Sequence, residues 1–421
     1  MNSIETTPKK DVQMYVKTAH NIGKYLAKEA IWYKDMCNWT GHEVSPVNGK
    51  YETVVKACSI ELYSGLTGIA LFLAELYAKT QDPIIFHTLQ GALNTIYFNL
   101  DKDKVNNFGY YSGKIGVGYT LWKIGKKLGN DEIADKGLNY VKSVKDKDVA
   151  DYEVDIISGA AGSISALLKL HYAEQDEACL EIAKKCGQFL LNKTIKNGDT
   201  CAWMTVDATN ALTGYSHGAS GIASALMELY ATTKSEEYWH AAIGGYNYEK
   251  KWFNQQTQNW PDLREYKGDK ALTYGTMWCH GAPGIAIAQL KAYEMTKHEY
   301  FLQEAKIALE TTKRAVIQET NPNSKSNFSL CHGLAGNADI LLYGNQILNI
   351  PEYVEIAKKA GNFGISQYDA TGVTFPSGVN DPSGLTIGQQ ENPGLMLGLS
   401  GTGMFYLRLE DATNIPSALV P

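Results

Sequence analysis

Apolar residues recur along this chain in seven stretches of helical spacing, each entered through a Gly-x-x-Gly pair. The stretches read GIALFLAELYA, GVGYTLWKIGKKL, GSISALLKLHYA, GIASALMELYA, GIAIAQLKAYE, GNADILLYGNQIL and GTGMFYLRL. Their glycine pairs are Gly65/Gly68, Gly113/Gly116, Gly159/Gly162, Gly218/Gly221, Gly281/Gly284, Gly333/Gly336 and Gly398/Gly401. Successive first glycines lie 48, 46, 59, 63, 52 and 65 residues apart. One such pair is a weak signal, but seven in order, each opening the same kind of segment, mark a repeat architecture.

A second helical pattern precedes each stretch, at roughly 11–33, 84–100, 131–144, 177–193, 236–252, 299–319 and 351–366. These segments carry charge on one face, as in EIAKKCGQFLLNK and EYVEIAKKAGNFG, whereas the first six glycine-led helices are apolar or small around most of their circumference. A helix apolar all round is buried, and one with a charged face borders solvent. Outer helix then inner helix, seven times, predicts an all-α fold: an α/α toroid, a double ring of seven outer and seven inner helices. An open solenoid fits the same repeat, but the atypical end repeats it needs are not obvious. The glycines remove Cβ atoms where an inner helix begins, so backbones can close up there. Their part is to build the ring. Residues beyond the helix pairs fit loops and short strands, near CAWMTVDATNALTG and TGVTFPSG. No interval has room for an inserted domain, so residues 1–421 are predicted to form a single domain.

Charge and composition narrow the function. A net charge of −6 offers no electrostatic footprint for nucleic acid or for an anionic membrane. The polar start MNSIETTPKKDVQ lacks the apolar centre of an export signal, and no stretch reaches the ~20 apolar residues of a spanning helix. A cytoplasmic protein without membrane insertion is the expectation. Its seven cysteines show no small-domain framework, so a disulfide scaffold is not expected; five read as free core or surface thiols, and two stand apart by position.

What stands before each glycine pair carries the chemistry. If the repeats superpose, the two residues ahead of the first glycine ring one end of the toroid. They are Tyr63-Ser64, Tyr111-Ser112, Ile157-Ser158, Ser216-His217, Cys279-His280, Cys331-His332 and Met396-Leu397. Two adjacent repeats therefore present Cys-His at one offset. Cys279, Cys331 and His332 make a Cys2His set that suits Zn2+, with a fourth position open as in catalytic sites. His280 as a fourth ligand would instead give a closed structural site, and two buried thiols beside unrelated histidines are the plain alternative. A bound zinc would hold an incoming thiol as a thiolate, or water in its place would serve hydrolysis. Ligand chemistry alone leaves both open. His217 faces the same mouth as a proton donor or acceptor, or is a satisfied core histidine. Asp155, four residues before Gly159, can orient His217 or move a proton, or else cap the helix.

With SHGASGIA, WCHGAPGIA, LCHGLAGN and PGLMLGLSGTGMFYLRL, the chain resembles the lanthionine synthetase C-like family from about residue 60 to 410. The resemblance implies an α/α toroid with zinc at its open end, held by Cys279, Cys331 and His332, with His217 and Asp155 as active-site histidine and aspartate. The implied activity is addition of peptide cysteine thiols to dehydroalanine or dehydrobutyrine, giving lanthionine or methyllanthionine rings. Nisin-type cyclases carry an arginine four residues before the first zinc cysteine and a tyrosine just after it; here Gly275 and His280 stand there. Those differences, with NWPDLRE and LCHGLAGNADIL, resemble the cyclase half of class II synthetases. Arg264 is then a candidate pocket cation, against a surface ion pair, and His280 a candidate substrate contact. The substrate implied is a dehydrated precursor peptide, supplied by a separate dehydratase. Two rival readings share the residues: a glutathione-binding or glutathione-adding relative, and a silent scaffold within a synthetase complex. Glycosidase or terpene-cyclase chemistry would need paired carboxylates or an aspartate-rich helix at the repeat mouths, and neither appears there.

Overall fold

A computed structural model describes residues 9–421 apart from 48, 101, 103–106, 148–152, 206–208, 269–270, 322, 325 and 380–390. Seven helices form the inner ring: α2 (Leu66–Thr80), α4 (Lys114–Leu128), α6 (Ala160–Glu174), α8 (Ala219–Thr233), α10 (Ala282–Thr296), α12 (Leu334–Leu348) and α14 (Leu399–Asp411). The outer ring is α1 (Lys9–Glu29), α3 (Pro83–Leu100), α5 (Asp131–Lys142), α7 (Glu177–Asn192), α9 (Glu236–Trp252), α11 (Glu299–Glu319) and α13 (Pro351–Gln367). Each inner helix packs on the next inner helix in sequence, and α14 packs on α2, which closes the ring. The α/α toroid stands.

The hairpins run inner-then-outer, the reverse of the predicted order. Each of the first six inner helices turns through two residues into the outer helix that follows it, and α1 covers α14. The turns share one chemistry. A residue in the left-handed conformation ends the inner helix: Gln81, Gly129, Gln175, Lys234, Lys297 or Asn349, with φ between 52° and 64°. Asn130 and Asp176 then cap the outer helix by accepting backbone N–H bonds. Because these turns are short, nearly all the long connections fall at the other end of the ring, where the site lies.

There the second glycine of every pair sits under its own loop. A Cβ at Gly68, Gly116, Gly162, Gly221, Gly284, Gly336 or Gly401 would lie 1.4–2.3 Å from the carbonyl six residues earlier. Neighbouring repeats close in as well, with Tyr215 Cβ 2.5 Å from the same point at Gly284. The loops then bond to one another around the mouth. Tyr63 N–H donates to Tyr111 O (2.9 Å), Tyr111 N–H to Ile157 O (2.9 Å), Cys331 N–H to Met396 O (2.9 Å) and Met396 N–H to Tyr63 O (2.8 Å). Residues at one offset are therefore spatial neighbours.

Among the described residues short strands occur in three antiparallel hairpins: β1 (Ile31–Tyr33) with β2 (Met36–Asn38), β3 (Thr40–Val47) with β4 (Lys50–Ala57), and β5 (Ile195–Asn197) with β6 (Thr200–Ala202). β6 meets the expectation near 201–214. The stretch 371–378 is a loop after a single 3₁₀ turn, not a strand. The predicted helix 11–33 ends at Glu29, and Ile31-Trp32-Tyr33 pairs as β1, its aromatic and β-branched run favouring extended chain. Beyond α14, the last residues turn inward. Tyr111 Oη donates to Ala418 O (2.7 Å), and Trp278 Nε1 to Leu419 O (3.0 Å). This tail braces the aromatic floor beneath the mouth.

Candidate metal centre

The loops before α10 and α12 bring together the predicted ligands. One sulfur from Cys279, one from Cys331 and one ring nitrogen from His332 all lie within 4.8 Å of one another, and both cysteines are buried. No other such group of three occurs among the described residues. Two thiols and an imidazole fit a borderline-soft, tetrahedral divalent ion. The crowding itself points to a cation. A hydrogen bond with the Cys331 sulfur, together with burial, pushes the Cys279 thiol well above its ordinary value. Two thiolates so close are stable only with positive charge between them.

The surroundings orient the ligands. His332 Nε2 lies 2.6 Å from Gly378 O, so Nε2 carries the proton and Nδ1 is the nitrogen left able to bind an ion. Tyr63 Oη donates to Cys331 Sγ at 3.0 Å. Its ring meets Tyr111 edge-on, Tyr111 meets Trp278, and Trp278 meets Tyr215, so aromatic rings pave the floor.

The adjoining repeats place His217 against Asp155. His217 Nδ1 lies 2.6 Å from Asp155 Oδ2; the histidine side chain is 22% exposed and the carboxylate 4%. Asp155 Oδ1 also accepts the Ser158 N–H at 2.8 Å, so the aspartate caps its own loop and holds the imidazole. From behind, Glu249 Oε1 on α9 accepts the N–H groups of Gly214 (2.9 Å) and Ser220 (2.8 Å), which bracket His217 in the chain.

His280 does not join the cysteine cluster. Its ring centre is 6.0 Å from that of His217, and neither of its ring nitrogens has a hydrogen-bond partner. Burial, and then the Arg264 charge, push it down to about 3, so it stays neutral. Arg264 is half exposed and paired with Asp262 through Nε (3.0 Å) and Nη2 (2.5 Å). It lines a cavity of about 270 Å3 with Asp262, Tyr266 and Thr273. Arg264 is thus a surface ion pair whose charge still reaches His280 and the Cys279 and Cys331 thiols.

Tyr63 and the Gly378 carbonyl were not singled out from sequence. Tyr63 shares the offset of Cys279 and Cys331, so the repeat register already placed it at the mouth. Gly378 lies in a long loop outside the register and carried no such signal.

Residues 57–420 match the family described as lanthionine synthetase C-like protein. The Lacticin 481/lactococcin biosynthesis protein LcnDR2 of Lactococcus lactis subsp. lactis is 28% identical over 321 residues, 73% of this chain. The match spans only 32% of that relative's length. Nisin biosynthesis protein NisC of Lactococcus lactis subsp. lactis is 23% identical over 330 residues, 70% of this chain and 76% of its own. Among solved structures, nisin cyclase superposes with a TM-score of 0.62 over 97% of this chain and 95% of its own, at 18% identity, a likeness of fold. With the match covering most of its length, the chain belongs to the lanthionine synthetase C-like protein family.

Proposed function

We propose that this chain is a zinc-dependent lanthipeptide cyclase, a single toroid domain that joins peptide cysteines to dehydroalanine or dehydrobutyrine. One juxtaposition carries the reading: the Cys279–Cys331–His332 cluster stands beside the His217–Asp155 pair at one mouth. Family membership and the likeness to two lantibiotic biosynthesis proteins support it. Seven unpaired cysteines support a reducing, cytoplasmic setting. Among the described residues no helix is long and apolar enough to cross a membrane.

Zinc held by Cys279, Cys331 and His332 supplies Lewis-acid activation of the substrate thiol. Asp155 holds His217 through Nδ1, which leaves Nε2 for proton transfer. The substrate sulfur forms a bond to the alkene β-carbon, and the electron pair of the double bond moves to the α-carbon. His217 delivers a proton there from Nε2, having accepted the thiol proton. One S–H and one C=C π bond are lost, one C–S and one C–H are formed, and nothing is oxidised. His280, neutral and unpartnered, lines the path beside His217. A dehydration step must act earlier to make the alkene.

The test is incubation with a dehydrated, cysteine-containing peptide in the presence of glutathione, followed by thiol labelling and mass spectrometry. Ring formation leaves the peptide mass unchanged while the labelled thiol disappears. A product heavier by glutathione would assign the rival addition reaction. A peptide that keeps its reactive thiol would overturn the cyclase.

A further inference from the structure

We propose that Tyr63 is a positioning residue of the metal centre: its phenol holds Cys331 as a ligand and keeps that sulfur from reacting itself. The inference rests on the zinc reading above. Tyr63 Oη donates to Cys331 Sγ at 3.0 Å, from a repeat that supplies no ligand. The phenol is aimed by its frame rather than by chance. Tyr63 N–H bonds to Tyr111 O (2.9 Å), and Tyr63 O accepts from Met396 N–H (2.8 Å), so the backbone is pinned from both sides. The ring stands edge-on to Tyr111, with centroids 6.2 Å apart at 87°.

Tyr111 provides an internal comparison. It occupies the same offset in repeat two, but its hydroxyl goes to Ala418 O (2.7 Å) in the tail. One residue type at equivalent places thus braces the floor in one repeat and reaches sulfur in the other.

The consequence follows from the chemistry of the site. A ligand thiolate beside an electrophilic alkene is itself a competing nucleophile. A hydrogen bond to sulfur draws electron density from it and lowers its reactivity, and partners behind metal ligands tune them in this way. Cys331 receives that bond from Tyr63. The single Tyr63 O–H is spent on Cys331, so it would leave a substrate sulfur held by the same ion without that bond.

The experiment is cobalt substitution of the purified protein, with Tyr63→Phe and Tyr111→Phe. Phenylalanine keeps each ring and its packing, and melting curves verify the fold. Wild type should show a sulfur-to-cobalt charge-transfer band in the near ultraviolet. In Tyr63→Phe the band should move to longer wavelength, because loss of the hydrogen bond raises the sulfur lone pair. Tyr111→Phe should leave it in place. Iodoacetamide labelling of Cys331 in the zinc-loaded protein should run about tenfold faster in Tyr63→Phe, the size expected when a hydrogen bond to a charged atom is lost. A Tyr63→Phe band coincident with wild type overturns this inference and leaves the metal site standing. Absence of the band in wild type overturns the metal site and this inference with it.

Discussion

His217 and Asp155 come from different hairpins, yet Nδ1 of the one lies 2.6 Å from Oδ2 of the other. The carboxylate is almost wholly buried, and its second oxygen is occupied by the Ser158 N–H. The imidazole is therefore held through Nδ1, which leaves Nε2 as its other ring nitrogen. Replacing Asp155→Asn removes the charge and keeps the volume. Ring formation should slow about 10²–10³-fold, the range for a displaced acid–base group. Zinc content, measured by elemental analysis, should stay at the wild-type level.

Metal loading should release protons. In the metal-free protein the Cys279 thiol is held well above its ordinary value by the neighbouring Cys331 sulfur and by burial, so it is protonated at neutral pH. Zinc takes the thiolate, and the proton must leave. Affinity therefore falls as pH falls. Calorimetric titration at pH 7 in buffers of different ionisation enthalpy should report at least about one proton released per zinc. Cys279→Ala should abolish both the binding and the release.

Glu249 predicts how stability changes with pH. Burial pushes its carboxyl up to about 8, against the two N–H bonds from Gly214 and Ser220 that act to lower it. A carboxyl raised in the folded state holds its proton where the unfolded chain has lost it. Its stabilising effect is complete below the unfolded value of about 4.5 and fades as pH rises to about 8. Glu249→Gln keeps an acceptor for both N–H groups without the titration. Melting temperature should fall between pH 5 and pH 8 more steeply in wild type than in Glu249→Gln.

The glycine register can be tested away from the site. At Gly116 a Cβ would lie 1.4 Å from the Tyr110 carbonyl, a contact that no rotamer change relieves. Gly116→Ala should cost about 3 kcal/mol or more, as overpacked, backbone-limited sites do. Denaturant unfolding would measure it.

Much of this molecule was legible because the repeat supplies a ruler. Six of the seven outer helices begin within a residue of where periodicity placed them, since charged faces and apolar inner stretches follow from burial alone. The clustering of Cys279, Cys331 and His332 was legible for the same reason: Cys279 and Cys331 occupy one offset in adjacent repeats. Pairing order was not, because the two-residue turns that decide it depend on left-handed Gln81, Gln175, Lys234 and Lys297, residues with no marked turn signature. The β3–β4 hairpin escaped notice, its Thr40–Ala57 run interrupting the repeat with exposed Val44, Tyr51 and Val55. Arg264 shows the other limit. Its partner Asp262 was two residues away in plain view, but only geometry shows that the pair's charge reaches the ligand thiols.

The belt of helices is buckled by its own extremities, since α1 lies over α14 and α14 against α2. Such a clasp joins parts of the polypeptide separated by nearly its whole length, the slowest kind of contact to make during folding. On the ribosome six hairpins can stack while the seventh inner helix is still unmade, leaving one flank of α2 wet. Tyr63 and Cys331 straddle that seam. The centre is therefore complete only once the circle has shut, so a half-synthesised chain carries thiols without a finished place to use them.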